Sequence, residues 1–230
     1  MRRHSKTWQL KKVLLSMLVV GGLSMFTIAG TFASLNSESS NAHGTIQSGT
    51  LTLGNKVGTA SACFSYTAAT NDNAGCDALF TSSTLQYPGG AAYTAHVTVS
   101  NTGSIAGSNL ALYMPSCNGS GVTASPGAPS PGGGNPCAAG GLQLTIAETD
   151  SSFANPSCVF PNFGGACVVA ANTLAFMATK KDTAHLYSLN EGLAVGQTRY
   201  YTISLQLPST AANSLQGEEA VFDLTWLLSQ

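Results

Sequence analysis

The sequence predicts an all-β fold, an antiparallel two-sheet sandwich or jelly roll. Three observations support this prediction. Apolar and polar residues alternate at a period of two in several short segments, clusters of Gly, Pro and Asn separate those segments, and cysteines bracket loop-like stretches. Long segments with the period of an amphipathic helix are missing, although residues 210–215 are sufficient for one helical turn.

The alternating segments mark the predicted strands. In residues 93–99, the clearest of them, every second side chain is apolar and the three between are Thr94, His96 and Thr98. Such alternation indicates one sheet face on the core and one in water. The same pattern predicts strands over residues 49–53, 93–99, 110–114, 142–146, 201–207 and 222–228.

The first 33 residues have the organisation of a secretory signal peptide. Five of the nine basic residues lie in the first twelve positions, and residues 13–33 are uncharged and mostly apolar. Small residues, Thr31 and Ala33, stand three and one positions before the bond between Ala33 and Ser34, which predicts cleavage at that bond. The alternative is a retained anchor, because about 20 apolar residues span a bilayer. Contact with a membrane is expected only through this uncleaved segment.

Removal of the signal segment leaves a weakly charged, acidic chain. Four basic residues remain against all ten acidic ones, which gives a net charge of −6. Nucleic acids and anionic membrane surfaces are therefore not expected as partners, because both require basic patches. A surface rich in Ser, Thr, Asn, Gly and Ala suits packing against copies of the same chain, or a cell-wall or matrix polysaccharide. The expected location is secreted, extracellular or at the cell surface.

The cysteines predict three disulfide bonds. All six follow the signal segment, and an even number in an exported chain indicates a disulfide framework. We predict pairing between sequence neighbours, because each neighbouring pair brackets a loop-like segment. The predicted bonds are Cys63–Cys76, Cys117–Cys137 and Cys158–Cys167.

Motifs for catalysis or metal binding are missing from the sequence. It contains no C-x2-C, G-x-S-x-G, H-E-x-x-H or Walker loop. His96 lies on the polar face of a predicted strand and is interpreted as a solvated histidine. Glu218 and Glu219 are adjacent, so in a strand they point to opposite faces and mark a charged strand start. We therefore predict no enzymatic activity, no catalytic or metal-binding residues and no cofactor.

Residues 207–211, Leu-Pro-Ser-Thr-Ala, approximate a sortase sorting motif. A sorting motif is followed by an apolar segment and a basic tail. Here three acidic residues follow, and no basic residue occurs after Arg199. The favoured interpretation is a strand, a stop at Pro208, a turn and a final strand.

Several short segments, taken in order along the chain, resemble the TasA/camelysin group of exported proteins, whose signal peptide is handled by a SipW-type signal peptidase. The resemblance covers most of the mature chain, and two cysteine-bracketed loops are insertions in it. The segments that carry it are the signal end Thr-Phe-Ala-Ser with its polar spacer, Ser-Gly-Thr-Leu-Thr-Leu at 48–53, Tyr-Pro-Gly-Gly at 87–90, Ser-Asn-Thr-Gly-Ser at 100–104, the stretch 193–207, Pro-Ser-Thr-Ala at 208–211 and Gln-Gly at 216–217.

The resemblance implies a jelly-roll-like two-sheet antiparallel sandwich with disulfide-stapled loops. It also implies a subunit that polymerises into surface or matrix fibres by adding its N-terminal segment as a strand to the next copy. Residues 34–44 are then a donor arm, with Leu35 and Ile46 as the apolar contacts in the partner's groove. The alternative is an ordinary disordered terminus.

The predicted organisation is a signal peptide (1–33), a leader (34–44) and a single β-sandwich domain (45–230). The leading hypothesis for function is a secreted structural protein of the cell surface or biofilm matrix that forms fibres. A metallopeptidase like the camelysin branch is a weaker hypothesis, because the sequence offers no cluster of metal ligands. The remaining alternative is a monomeric wall- or glycan-binding module with exposed sheet aromatics, for which the candidates are Tyr66, Tyr87, Tyr113 and Tyr187.

Overall fold

A computed structural model describes residues 48–67, 73, 75–80, 87–121, 132–215 and 217–230. Within these residues the protein is nearly all β with antiparallel sheets, which confirms the predicted fold class. The predicted signal segment, its cleavage bond Ala33–Ser34, the leader 34–44 with Leu35, and Ile46 lie outside the described residues. In the part of the chain that is described, no helix is long and apolar enough to cross a membrane.

The strands and one short helix follow each other along the chain. Two 3-10 turns accompany them, at Ser65–Thr67 and Asn213–Leu215. The strands are β1 (Leu53–Val57), β2 (Cys63–Phe64), β3 (Tyr93–Asn101), β4 (Asn109–Tyr113), β5 (Cys117–Gly121), β6 (Gln143–Thr149), β7 (Ser157–Phe160), β8 (Tyr187–Ser188), β9 (Thr198–Gln206), β10 (Glu218–Phe222) and β11 (Thr225–Ser229), and helix α1 (Thr173–Met177) lies between β7 and β8.

The strands form a large sheet, a small sheet and a two-stranded ribbon. The large sheet has the order β2-β1-β3-β9-β6-β7, the small sheet β11-β4-β8, and the ribbon pairs β10 with β5. The predicted strands at 93–99, 110–114, 142–146 and 201–207 correspond to β3, β4, β6 and β9. Glu218 and Glu219 begin β10, as predicted.

The predicted strand over 222–228 is wrong in its extent, because the chain forms two strands there. The pairing of β5 with β10 continues that of β4 with β11 along the same two segments. Between them the ladder is interrupted, because the three residues 114–116 lie opposite only two, Asp223 and Leu224. One strand therefore carries an extra residue, and Pro115 has no N–H to donate. A hydrogen bond from the Asp223 backbone N–H to the Ser116 carbonyl (3.3 Å) spans the break.

The first predicted strand, over 49–53, is also displaced in the structure. β1 begins only at Leu53, which lies opposite the last residue of β3, Asn101. The preceding residues run along the turn that follows β3, where the carbonyl of Thr50 accepts the Ser104 N–H at 2.8 Å. A Cβ at Gly103 would lie 2.2 Å from that Thr50 carbonyl oxygen, so the close approach requires glycine.

The hydrophobic core lies between the large and small sheets. Inward-facing side chains of β3, β6 and β9 are fully buried, and Tyr201 of β9 contacts Trp226 of β11 with ring centroids 4.8 Å apart. Leu174 and Met177 of α1 are buried against the same core. The two sheets therefore pack face to face as a sandwich-like fold. Whether its connectivity is that of a jelly roll stays a prediction.

Three disulfides join cysteines that are neighbours in sequence. They are Cys63–Cys76, Cys117–Cys137 and Cys158–Cys167, the three pairs expected from the sequence. No cysteine is free. Such a set of intramolecular bonds is typical of an oxidising, extracellular environment.

The double variant Cys117→Ser/Cys137→Ser is expected to lower the free energy of unfolding by about 3 kcal/mol. The bond closes a loop with a sequence separation of 20, and the loss reflects the greater freedom of the unfolded chain without it. Urea denaturation without reductant measures the change. An unchanged midpoint would show that the bond does not stabilise the native protein.

Candidate functional site

The four tyrosines proposed as an exposed aromatic platform do not share one surface. Tyr66 and Tyr87 are exposed, but Tyr66 follows the edge strand β2 of the large sheet and Tyr87 precedes β3. Tyr113 belongs to the small sheet. Tyr187 is half-buried, and its hydroxyl donates to the Val159 carbonyl at 2.8 Å. Burial also raises the pKa of Tyr187.

His96 lies on the outer face of the large sheet, as predicted, but it is half-buried rather than fully solvated. Its Nδ1 is 3.2 Å from the hydroxyl of Thr202 on β9, the residue opposite it in the ladder. The ring of Phe153 lies over the imidazole, with centroids 4.2 Å apart. The Tyr200 ring makes an edge-to-face contact with the Phe153 ring.

A half-open groove of about 330 Å³ surrounds His96. Its floor is the outer face of β3, β9 and β6, and its walls come from the β6–β7 loop and from the loop closed by Cys158–Cys167. The side chains that line it are Thr94, His96, Thr145, Ala147, Phe153, Pro156, Ala166, Cys167, Thr202 and Ser204.

The wall that carries Phe153 is held by the carboxylate of Asp150. One carboxylate oxygen accepts hydrogen bonds from the backbone N–H groups of Ser152 (2.9 Å) and Ala154 (3.0 Å), and the other accepts from the Asn155 amide at 2.7 Å. These bonds and one from the Ser152 hydroxyl lower the pKa of Asp150 to about 2. The carboxylate is therefore ionised, and the turn ordered, across the physiological pH range.

A cluster of charges closes one end of the sandwich. Arg199 of β9 contacts the carboxylates of Glu148 and Glu191, and its distance to Glu191 is 2.7 Å. The hydroxyl of the fully buried Tyr201 donates to Glu191 at 2.8 Å. Burial raises the pKa of Glu191, and the neighbouring Glu148 raises it further, while the bond from Tyr201 and the charge of Arg199 act in the opposite direction.

The charge cluster and Phe153 were not predicted as site residues. Glu148 and Arg199 are 51 positions apart and meet only through the register of β6 with β9. A weak signal for the Phe153 turn was present in the run Asp-Ser-Ser-Phe-Ala-Asn at 150–155, which contains residues that favour turns.

The cluster contains two carboxylates and a guanidinium, but the guanidinium lies between the acids and Tyr201 occupies an oxygen of Glu191. This arrangement is typical of a structural ion-pair network. Within the described residues, no group of three or more His, Cys, Asp or Glu side chains is placed to hold a metal ion.

The unpaired edges of β11 in the small sheet and of β10 in the ribbon are a second candidate site, one for binding an added strand. In the described part of the chain, β11 pairs with β4 only, and β10 pairs with β5 only. The backbone N–H and C=O groups on the opposite side of this edge are the kind that accept an added strand. The residues 218–229 that form it span both strands and the break between them.

Comparison with known proteins leaves the family resemblance untested. No protein-family model matches the chain, and no curated protein matches it significantly.

Proposed function

We propose that the protein is a secreted structural subunit of the cell surface or biofilm matrix, and that copies join into fibres by strand addition. The observation that carries the proposal is the free edge of β11, which borders part of the large sheet that no described strand covers. The acidic, weakly charged sequence and the three disulfides are compatible with this extracellular role.

Contacts between the sheets locate the open region. β8 lies over β7, because the Tyr187 hydroxyl bonds to the Val159 carbonyl. β11 lies over β9, because Trp226 packs on Tyr201. The strand order then directs the free side of β11 toward β3 and β1.

The inner face of β1 is incompletely covered by the described residues. Leu53, Asn55 and Val57 point to the core side, since they lie opposite inward-facing residues of β3. All three are only partly buried, whereas Val97 and Val99, their inward-facing partners in β3, are fully buried. Asn55 Oδ1, a buried polar atom on this face, lacks a hydrogen-bond partner in the described residues. An added strand would supply both apolar contact and polar partners there.

We propose the leader of a neighbouring copy as the added strand. Residues 34–44 provide eleven residues, and the edge 218–229 provides twelve, so one fully extended leader matches the edge in length. Six of the eleven leader residues are Ser or Asn, so backbone hydrogen bonds would carry most of the affinity. Leu35 would contact the partly buried residues of β1, and Ile46, two positions beyond the leader, would be a separate apolar contact after the paired strand.

A variant of the mature protein that begins at Thr45 is expected to fold but not to form fibres. All six cysteines and every described strand remain, so its thermal unfolding should match that of the complete mature chain. Fibre formation should be lost because the added strand is missing. Electron microscopy and sedimentation of both proteins at equal concentration measure assembly, and circular dichroism measures folding.

The charge variant Leu35→Asp tests the same contact in the complete mature chain. It should weaken assembly strongly, because an aspartate would enter an apolar groove. Asn36→Asp serves as a matched charge control, because position 36 points to the opposite face of the extended leader. Equal polymerisation of the truncated and complete chains would refute the donor role. The absence of fibres from every form, at all concentrations and pH values tested, would refute the proposed function.

A further inference from the structure

We propose that the groove around His96 binds a single neutral pyranose ring, the unit of a glycan or of a free sugar. The groove lies on the outer face of the large sheet, whereas strand addition uses the inner face and the edge of β11. The two proposals therefore rest on different surfaces, and each can fail without the other.

The floor of the groove presents polar groups at the spacing of neighbouring strands. Thr94 and His96 come from β3, Thr202 and Ser204 from β9, and Thr145 from β6. His96 lies opposite Thr202, and Thr94 lies opposite Ser204, so these side chains form two cross-strand rows. Strands in a sheet are about 4.8 Å apart. Hydroxyl groups so spaced can meet different hydroxyls of one sugar ring.

The imidazole of His96 is oriented for recognition. Its Nδ1 is engaged with Thr202, and Nε2 has no hydrogen-bond partner within the described residues. The Phe153 ring packs against the imidazole from one side, tilted by 47°. A ligand hydroxyl can therefore donate to or accept from Nε2, according to the tautomer.

The charge and size of the groove select the ligand class. None of its lining side chains is Asp, Glu, Lys or Arg, so a phosphate or carboxylate ligand would find no counter-ion. Most of its surface is apolar, contributed by Phe153, Pro156, Ala147 and Ala166. Its volume of about 330 Å³ lies at the small end of ligand pockets, which span roughly 300–1,000 Å³. A pyranose combines apolar C–H faces with neutral hydroxyls at this scale.

Both walls are fixed before any ligand arrives. Phe153 has a φ of 58°, a left-handed conformation that is an outlier for a bulky residue. The hydrogen bonds to Asp150 hold this conformation, and the Cys158–Cys167 bond holds the other wall. Strained residues kept in place by surrounding bonds are typical of ligand sites.

The test is an NMR titration of the uniformly 15N-labelled mature protein. The probes are glucose, galactose, N-acetylglucosamine and cellobiose, with the linear polyol sorbitol for comparison. At least one pyranose should shift the His96 side-chain resonances and the amides of Thr145 and Thr202, with a dissociation constant below about 10 mM. The variants His96→Ala and Phe153→Gly should each weaken binding about tenfold or more. Glycine suits the positive φ at position 153, so that variant keeps the turn.

Thr98→Val is the matched control, because Thr98 lies on the same outer face of β3 outside the groove. It should leave the binding constant unchanged.

The proposal is overturned if no pyranose shifts these resonances at sugar concentrations up to about 50 mM. It is also overturned if sorbitol binds equally well, or if the groove variants bind as the unaltered protein does. Co-sedimentation with insoluble cellulose and chitin then distinguishes a polymer ligand from a free sugar, because a site for free sugar alone leaves the protein in the supernatant.

Discussion

Replacing Asn101 with alanine is expected to lower the free energy of unfolding by about 3–5 kcal/mol, because it removes three hydrogen bonds to backbone groups at once. Asn101 is fully buried at the end of β3. Its Nδ2 donates to the carbonyls of Ile105 (2.8 Å) and Leu193 (2.9 Å), and its Oδ1 accepts the Gly103 N–H at 2.9 Å.

These three bonds tie together parts of the chain that are distant in sequence. The bonds to Ile105 and Gly103 shape the turn after β3, and that turn holds the segment before β1 through the Thr50 carbonyl. The bond to Leu193 reaches 92 positions away, beside the bridge between Gly107 and Leu193. Alanine would leave the Ile105 carbonyl and the Gly103 N–H to be satisfied by water or by local distortion, whereas the Leu193 carbonyl would keep the bond from the Gly107 N–H at 3.0 Å.

Equilibrium urea denaturation of the disulfide-bonded protein measures the loss. The control is Ser100→Ala on the opposite face of the same strand, which should change the free energy of unfolding by no more than about 0.5 kcal/mol. A loss below about 1 kcal/mol for Asn101→Ala would mean that solvent replaces the side chain at little cost, and the anchoring role would be wrong.

The alternation of apolar residues predicted the inner strands of the fold because a half-buried sheet imposes that pattern directly. In β9, and in β3 as far as Val99, the buried positions are those that the sequence marks as apolar. The pattern could not locate the break after Phe222, since the apolar alternation continues through Leu224 to Trp226. That break occurs opposite Pro115, in a segment of the same chain that is more than a hundred positions away.

The disulfides were predictable because each connects segments that are close along the chain. Sequence separations of 9 to 20 bring the cysteines together with little chain entropy to overcome. The turn bounded by Gly103 was likewise marked in the sequence by its Asn-Thr-Gly segment, although the burial of Asn101 was not.

The groove and the charge cluster could not be predicted, because both are assembled by strand register. His96 was recognised as a residue of the polar face, but its neighbour Thr202 comes from 106 positions later. Phe153 reaches the same place through a positive φ that the sequence does not indicate for phenylalanine. Local patterns indicate which face a side chain takes, whereas the site depends on which strands are adjacent.

The variant Arg199→Met is expected to destabilise the protein by about 3 kcal/mol at pH 7 and by much less near pH 4. Methionine preserves the apolar volume but leaves Glu148 and Glu191 facing each other without a cation. Burial already raises the pKa of Glu191, and loss of Arg199 removes an influence that lowers it. The folded variant therefore holds a proton on Glu191 to higher pH than the unfolded chain does.

The sign of the pH dependence follows from this difference in proton binding. A carboxyl whose folded pKa is raised contributes its full stability below the unfolded pKa, here about 4.5, and loses it as the pH rises through the folded value. The deficit of Arg199→Met should thus grow between about pH 4 and pH 7, and the added change Glu191→Gln should reduce it. Urea denaturation across this range measures both.

Lys181→Met removes an exposed cation as a control and should cost at most about 0.5 kcal/mol at every pH. A deficit that does not vary with pH would assign the role of Arg199 to packing alone, since only the unpaired carboxylates make the loss depend on protonation.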